Sequence, residues 1–255
     1  MMNRTAGCGA EIRIRGIAVR EALEELYKMI RMLLLAGVAG VASLGAIAAG
    51  GAEPASAAPA TAEAPAKPKV DPDKAKAAAQ NVCAACHGAD GNSVAPINPN
   101  LAGLPADYIA RQLAHFKAGI RVNAIMQGMA ASLSPEDMAA LGAYYAQQQP
   151  KPGGGKDATL AQAGQKLYRG GDAALGIPAC AACHAPSGAG IPKNYPRLAG
   201  QHAEYTIAQL KAFKAGERGN DKEGKDANGR IMGTIAARMS ETQMRAAAEY
   251  TQGLR

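Results

Sequence analysis

The five residues CAACH occur twice in this chain, at 83–87 and at 180–184, 97 positions apart. In both copies two residues separate the cysteines, and a histidine follows the second cysteine directly. This order is typical of c-type haem attachment, in which both sulfurs bond to the porphyrin and the histidine binds iron. The sequence therefore predicts two covalently held haem c groups. The predicted attachment and iron-binding residues are Cys83, Cys86 and His87 in the first copy, and Cys180, Cys183 and His184 in the second.

Three other kinds of site also use closely spaced cysteine pairs. Zinc sites also use CxxC, but two such sites need more ligands than five cysteines and four histidines provide in this arrangement. A thioredoxin-like redox pair sits at a strand–helix turn in a βαβ pattern, which is missing here. Disulfides would suit an exported protein but leave the adjacent histidines unexplained. Repetition of the whole motif favours haem over all three.

The composition agrees with a helical protein built around a large apolar group. The chain has no Trp, two Phe and eight Tyr, so aromatic side chains supply little of a core, and another apolar body is expected to fill it. Alanine and glycine are abundant while β-branched residues are scarce, which favours helices over strands. We expect an all-α fold around covalent haem.

The N-terminal segment has the layout of an export signal. An uncharged run from Met32 to Ala52 follows Arg31, and small-residue cleavage patterns occur at 46–48 and 55–57. Because the run is close to the length that spans a bilayer, an uncleaved anchor stays open as the alternative. An Ala- and Pro-rich stretch then predicts a tether. The expected boundaries are 1–57 for the extension with its signal peptide or anchor, and 58–70 for the tether.

The similarity between the two copies extends well beyond the cysteine motifs. At an offset of 97, the segments 99–119 and 196–216 share prolines, LAG, a tyrosine, QL and FKAG. The offset then becomes 106, because the second copy carries nine extra residues around 219–230. A period of about one hundred residues indicates two small tandem domains. The expected boundaries are 71–148 for the first domain, 149–156 for the linker and 157–255 for the second domain.

Each domain is predicted to contain about three helices. In the first domain, Asp71 and Pro72 are suited to begin a helix that runs into the haem motif. The second helix is expected from about 105 to 117, and the third begins at Ser134, whose counterpart Ser240 starts a capping-box sequence. Tyr108, Gln112 and Phe116 recur on one face of the second helix, which we interpret as core packing.

A histidine-bound iron needs a ligand on its other face, and several side chains could supply it. Only two methionine pairs occur in register in both copies, and Met138 and Met244 fall inside the third helix, where methionine is more often core. Met126 and Met232 fall in glycine-containing segments before that helix, which we predict to be loops, and they are the predicted axial ligands. The candidates without a counterpart are Met129, His115, Met239 and His202.

Two prolines are predicted to orient the iron-binding histidines. Pro99 and Pro196 each stand twelve residues after their histidine. A proline keeps its carbonyl acceptor, which could take a hydrogen bond from the histidine nitrogen opposite iron. A simple turn is the alternative, but the identical register favours the orienting role.

The segments IPACAACHAPSG and LAGQHAEYTIAQLKAFKAGER, within a duplicated chain, resemble the dihaem cytochrome c4 family over about 71–255. The resemblance implies two haem c domains related by pseudo-twofold symmetry, in a periplasmic carrier of single electrons toward terminal oxidases. His/Met ligation leaves no open position on iron, so we expect an electron-transfer protein and not an enzyme. An anchored cytochrome subunit of a dehydrogenase or oxidase complex is the alternative, and a dihaem peroxidase is a weaker one.

The charge is distributed unevenly between the domains. Residues 71–150 carry 5 basic and 6 acidic side chains, whereas residues 156–255 carry 14 and 9, so the net charges are −1 and +5. Such asymmetry can orient a carrier toward its redox partners. No nucleic-acid recognition motif accompanies the basic balance. The basic side chains expected to dock on an acidic partner are Lys211, Lys214, Arg218, Lys222 and Lys225.

Overall fold

The structure is a computed structural model that describes residues 71–221 and 223–254, which lie in one compact unit. The predicted signal peptide or anchor and the predicted tether fall outside the described residues. Within those residues the chain is helical and has two isolated β-bridges but no strand. The all-α fold class is confirmed.

The helices follow one another in two similar series. In the first domain they are α1 (Pro72–Ala78), a π-helical segment (Ala79–Cys83), α2 (Ala84–His87), α3 (Ala106–Lys117), α4 (Ala124–Ala131) and α5 (Pro135–Ala146). In the second domain they are α6 (Ala158–Gly170), α7 (Ala181–His184), α8 (Ala203–Ala215), α9 (Ala227–Ala237) and α10 (Glu241–Gly253).

The predicted helix starts are confirmed by their caps. The Asp71 carboxylate accepts hydrogen bonds from the backbone of Asp73 and Lys74 at 3.1 and 3.0 Å. Ser134 and Ser240 each form a full capping box, in which the serine hydroxyl and the third helical side chain satisfy each other's backbone N–H groups. These short-range bonds fix where α1, α5 and α10 begin.

The last helix of each domain packs against two others and closes a small core. Helix α5 contacts α1 and α3, and α10 contacts α6 and α8. Tyr145 in the first domain, and Tyr168 and Met244 in the second, are the largest side chains that are fully buried there. The two cores position the cysteine motifs, because each motif lies at or close to the end of a packed helix.

Each domain contains one short helix that the sequence analysis missed. Helices α4 and α9 occupy the segments that carry Met126 and Met232. The prediction that these methionines lie in loops is therefore wrong. Asn123 starts α4 by accepting a hydrogen bond from the backbone of Met126 at 2.9 Å, and Asp226 starts α9 by accepting from Gly229 at 2.9 Å. The two caps outweigh the helix-weakening glycines.

Within residues 71–221 and 223–254, no helix is both long enough and apolar enough to cross a membrane.

Candidate haem sites

The two CxxCH motifs form single helical turns, α2 and α7. In a helix, residues three and four apart share one side, so the two cysteines and the following histidine of each motif face the same way. The cysteines at 83, 86, 180 and 183 are free thiols, which excludes disulfides within the part of the chain that the structure describes. The arrangement fits covalent attachment of one porphyrin to each turn.

Both predicted iron-binding histidines are buried and oriented by a proline carbonyl. His87 Nδ1 lies 3.0 Å from Pro99 O, and His184 Nδ1 lies 2.9 Å from Pro196 O. Because a carbonyl oxygen can only accept, Nδ1 must carry the proton, which leaves the lone pair on Nε2. Both rings therefore present Nε2 as the nitrogen that can bind iron.

Burial controls the protonation of these motifs. It lowers the pKa of His87 and of His184, and the proline hydrogen bonds oppose this lowering only in part. The imidazoles are thus kept neutral, as a metal ligand must be. Burial also raises the pKa of Cys83, and that of Cys180 to about 11. A raised pKa disfavours the reactive thiolate of a thioredoxin-like site.

The zinc alternative finds no support in the geometry. Among the described residues, no group of three or more His, Cys, Asp or Glu side chains converges on a point that could hold a metal ion. A structural zinc site needs four such ligands in tetrahedral arrangement. The motifs are therefore suited to a group that brings its own equatorial ligands, as a porphyrin does.

The predicted axial methionines occupy comparable positions in the two domains. Each lies five residues before the last residue of its helix, Met126 in α4 and Met232 in α9, and both are half-buried. Met232 also packs against the hydrophobic core of the second domain. Their assignment as iron ligands stays a prediction, since it rests on the sequence register.

The other candidate ligands have different surroundings. Met129 is 50% exposed, whereas Met138, Met239 and Met244 lie in the cores at 4% exposure or less. His115 faces the Asp226 carboxylate, with 3.8 Å between Nδ1 and Oδ2. His202 Nε2 lies 2.9 Å from Ser93 O in the other domain. The three buried methionines thus serve the cores, and the two histidines serve the contact between domains.

A polar network between the domains was missed by the sequence analysis. Arg121 Nη2 donates to the Tyr205 hydroxyl and to Gln209 Oε1, both at 2.8 Å. Arg218 Nη2 donates to the Tyr108 hydroxyl and to Gln112 Oε1, both at 3.0 Å. The signal was present in the sequence, because the two arginines, like the two Tyr–Gln pairs, stand 97 residues apart.

This network corrects two expectations. Arg218 is 8% exposed, so the prediction that it belongs to an exposed docking surface is wrong. The prediction of core packing is confirmed for Phe116, which is 7% exposed. For Tyr108 and Gln112 on the same helical face, core packing explains only part of what the side chains do. The Tyr108 ring packs against the core, yet its hydroxyl and the Gln112 carbonyl both accept bonds from the second domain. Lys222 lies outside the described residues.

Comparison with known proteins places these sites in a family. The cytochrome c family profile matches twice, at residues 72–149 and 161–255. Cytochrome c4 of Azotobacter vinelandii is 44% identical over 183 residues, covering 68% of this chain and 84% of that protein. The thiosulfate dehydrogenase electron acceptor of Thiomonas intermedia is 43% identical over 171 residues, covering 66% of this chain and 76% of that protein.

A solved structure shows the same architecture. The crystal structure of reduced recombinant cytochrome c4 from Pseudomonas stutzeri aligns with a TM-score of 0.67 and 39% identity, covering 73% of this chain and all of that one. Two cytochrome c domains imply two covalently bound haem c groups, one for each CxxCH turn. The chain therefore belongs to the cytochrome c4 family of dihaem electron-transfer cytochromes.

Proposed function

We propose that this protein is a periplasmic carrier that passes single electrons from a respiratory donor toward a terminal oxidase. The observation that supports it most is the matched orientation of His87 and His184, each fixed by a proline carbonyl at about 3 Å. Two sites built alike are suited to the same task of accepting and releasing one electron. An enzyme that uses one haem for catalysis and the other for supply needs two different sites.

We propose the following roles for the side chains. One cysteine pair and one histidine hold each haem, and the proline carbonyls orient the histidines. Met126 and Met232 would hold the iron through neutral thioether sulfurs, which would favour ferrous iron and raise the reduction potential. When bound, haem supplies a one-electron Fe(III)/Fe(II) couple. If Met126 and Met232 hold iron as proposed, no position would be left for a peroxide substrate, which argues against the dihaem peroxidase alternative.

A second candidate function follows from the relatives. Because proteins named as electron acceptors of thiosulfate dehydrogenase are among them, this chain could serve one dehydrogenase as its dedicated acceptor. In that case the N-terminal segment would act as an anchor or tether beside the enzyme. The two functions differ in donor and in attachment, and both require the same haem sites.

Ligation is tested by methionine substitution. Replacing Met126 or Met232 by Ala should remove about half of the weak near-infrared sulfur-to-iron band of the oxidised protein and lower the potential of one haem. Met129→Ala is the matched control, since Met129 is 50% exposed. An unchanged band in the Met126 or Met232 variant, or loss of band in the control, would reject the assignment.

The carrier function is tested on the mature protein. Its mass should exceed that of the polypeptide by two haems, and cell fractionation should place it in the periplasm. Stopped-flow reduction by thiosulfate dehydrogenase, and oxidation by oxidase-containing membranes, separate the two candidate functions. Fast exchange with the dehydrogenase alone, from a protein that keeps its N-terminal segment, would favour the dedicated acceptor.

A further inference from the structure

A buried tyrosine lies beside the first cysteine of each haem motif. Tyr145 of α5 is 2% exposed and belongs to the core against which Cys83 packs, and Tyr168 of α6 is 0% exposed. Each sulfur is close enough to its tyrosine to influence the pKa of the phenol, Cys83 that of Tyr145 and Cys180 that of Tyr168. Neither tyrosine belongs to the set of side chains proposed to hold haem.

The two tyrosines come from different helices of the repeat. At the offset of 106 that relates α5 to α10, the counterpart of Tyr145 is Thr251. Thr251 is also buried, but its hydroxyl donates to the Ala248 carbonyl of its own helix at 3.1 Å. Tyr168 lies instead on α6, the helix before the second haem motif. The duplication of the domain therefore does not by itself explain why each motif has a phenol at this place.

The two hydroxyl groups differ in what they can bind. The Tyr168 hydroxyl donates to the Ala185 carbonyl at 2.7 Å, so its single proton is already used. The Tyr145 hydroxyl is buried and has no hydrogen-bond partner among the residues that the structure describes. Buried hydroxyl groups are rarely left unpaired, because the loss of water is then not compensated. The Tyr145 proton is thus free to bind an acceptor that the folded first domain presents to it.

The polypeptide holds the Tyr145 ring in one orientation. A Cβ atom added to Gly91 would lie 2.8 Å from Cδ1 of Tyr145, so the ring packs directly against the Gly91 backbone. The Tyr144 ring meets it edge-on, with 5.1 Å between the ring centroids. The backbone carbonyl of Tyr145 accepts a hydrogen bond from the Gly103 N–H at 3.0 Å. A ring packed in this way cannot turn its hydroxyl toward solvent.

The Cys83 sulfur is the acceptor that this hydroxyl faces. Burial raises the pKa of Cys83, and the neighbouring Tyr145 hydroxyl opposes that effect. Burial and the nearby sulfur also raise the pKa of Tyr145, so the phenol keeps its proton. Once Cys83 is bonded to a porphyrin its sulfur has no proton, and a thioether can only accept a hydrogen bond. Attachment therefore turns a thiol–phenol contact into a donor–acceptor pair.

We propose that in the haem-loaded protein Tyr145 donates a hydrogen bond to the Cys83 sulfur and thereby raises the reduction potential of the first-domain haem. Tyr145 is a positioning residue in this role, since it acts through the cysteine and not on iron. The inference rests on the proposed one-electron function of the two haem sites. It adds a difference between two sites whose histidines and prolines are matched.

The direction of the effect follows from electrostatics. The O–H dipole of Tyr145 turns its positive end toward the sulfur that carries the porphyrin. A positive end favours the less positive, reduced form of iron, and its influence is strong where burial excludes water. The Tyr168 dipole is directed at the Ala185 carbonyl instead, so the second site lacks this contribution. Hydrogen bonding around a haem is one of the means by which a protein sets its potential.

The test compares Tyr145→Phe with Tyr168→Phe in the haem-loaded protein. Both variants keep the buried ring and lose one hydroxyl. Tyr145→Phe should shift the reduction equilibrium of one haem about threefold to tenfold toward the oxidised form. This fold-change corresponds to about 30–60 mV for one electron. Tyr168→Phe is the matched control and should leave both potentials within about 10 mV of the parent, because its proton serves the backbone.

Proton NMR of the reduced protein gives a readout that a merely structural role would not move. The Tyr145 hydroxyl proton should exchange slowly and show a nuclear Overhauser contact to the Cys83 β protons. The signal should disappear in Tyr145→Phe and persist in Tyr168→Phe. Because the parent and the Tyr168 variant show it without any change at Tyr145, this measurement decides the proposal even if Tyr145→Phe fails to fold.

The inference is rejected if Tyr145→Phe holds two haems and has the potentials of the parent. It is also rejected if the potential shifts but the hydroxyl proton has no contact with Cys83, because another acceptor then receives the bond. An equal shift in Tyr168→Phe would show that any buried phenol near the motif has this effect, and would overturn the distinction. A parent protein without two one-electron reduction steps would instead reject the proposed function.

Discussion

In the first domain the helix that leads to the CxxCH motif is continuous with it, whereas in the second domain a loop separates the two. Helix α1 passes through the π-helical segment into α2 without a break. Helix α6 ends at Gly170, and a turn closed by the Asp172–Ile177 bridge precedes α7. Yet the histidine–proline distances are 3.0 and 2.9 Å. The geometry of each site is therefore set by the chain after the motif, and the approach to it can vary.

The closest helix crossing also differs between the domains. In the first domain, Gly142 of α5 lies against α3, and a Cβ atom added to Gly142 would be 2.4 Å from the carbonyl oxygen of Ala106. In the second domain, Gly164 of α6 lies against α10, and a Cβ atom added to Gly164 would be 1.9 Å from the carbonyl oxygen of Ala246. The helix contact that leaves no room for a side chain is therefore between α3 and α5 in the first domain and between α6 and α10 in the second.

The largest effect is expected from filling these crossings. Gly164→Ala should destabilise the second domain by about 3 kcal/mol, because the added methyl meets backbone that cannot move independently of α10. Gly142→Ala should act on the first domain in the same direction and by a smaller amount. Denaturant unfolding, followed by circular dichroism and haem absorbance, measures both changes.

Gly128→Ala is the control for this pair. It lies within α4, and no atom would lie within 4 Å of its added Cβ. The substitution should leave stability unchanged or raise it by up to about 1 kcal/mol through helix propensity. If all three variants had equal unfolding midpoints, the helices at the two crossings could move apart to admit a methyl group. The proposed difference between the two crossings would then be rejected.

The caps of the short helices α4 and α9 give the second difference. Asn123 is neutral and exposed, whereas the Asp226 side chain is 8% exposed and faces His115 of the first domain. Burial lowers the pKa of His115, and the Asp226 charge is the main influence that opposes it. A pKa lowered on folding means that stability is complete above the ordinary value of 6.5 and is lost as the pH falls below it.

Asp226→Asn should therefore enlarge the acid sensitivity of the protein. Asparagine keeps the cap, so the cost at about pH 7 should be about 1 kcal/mol or less. At about pH 5 the loss should exceed that of the parent, because His115 must be protonated beside Arg111 and Arg218 with only the Asp221 carboxylate left to oppose them. The measurement is the free energy of unfolding at both pH values.

His115→Gln supplies the matching comparison. It removes the titrating group, so combining it with Asp226→Asn should abolish the extra acid sensitivity. Asn123→Ala, at the cap in the first domain, should cost about 1 kcal/mol at both pH values. A parallel pH dependence in the parent and in Asp226→Asn would show that His115 and Asp226 do not interact across the domains.

The features that could be predicted from the sequence are those with short-range causes. The helix starts at Asp71, Ser134 and Ser240 depend on hydrogen bonds to backbone groups two or three residues away. The types of the capping residues are therefore enough to predict these starts. The loops predicted around Met126 and Met232 were wrong for a similar local reason. The glycines in both segments favour a loop, but the capping side chains of Asn123 and Asp226 start a helix in each.

The contact between the domains could not be predicted in this way. Arg218 was expected at the surface because its charge is visible in the sequence, whereas its partners in the other domain are not. Its partners Tyr108 and Gln112 are more than a hundred residues away, and they come close only once both domains have folded. The repeated register of the arginines carried the information, but it does not show that the two copies face each other.

The smallest effect is expected from the charge difference between the domains. Arg121 and Arg218 are both buried, so each domain has one positive charge fewer at its surface. The difference of six charges between net −1 and net +5 is therefore unchanged. Lys211 and Lys225 remain exposed on the second domain, each paired with a glutamate of that domain. Lys214 is held differently, since its ammonium donates to the Met239 carbonyl at 2.6 Å. Lys225 is therefore the cleaner probe of docking.

Lys225→Glu should slow oxidation of the reduced protein by ferricyanide, a small anion that imitates an acidic partner surface. Because an exposed charge contributes little and mainly steers encounter, we expect about a two- to fivefold effect on the rate at low ionic strength. High salt should abolish it. Lys76→Glu is the matched reversal on the first domain, where Lys76 is exposed on α1. If both reversals slow the reaction equally, net charge alone sets the rate and the basic domain has no special docking role.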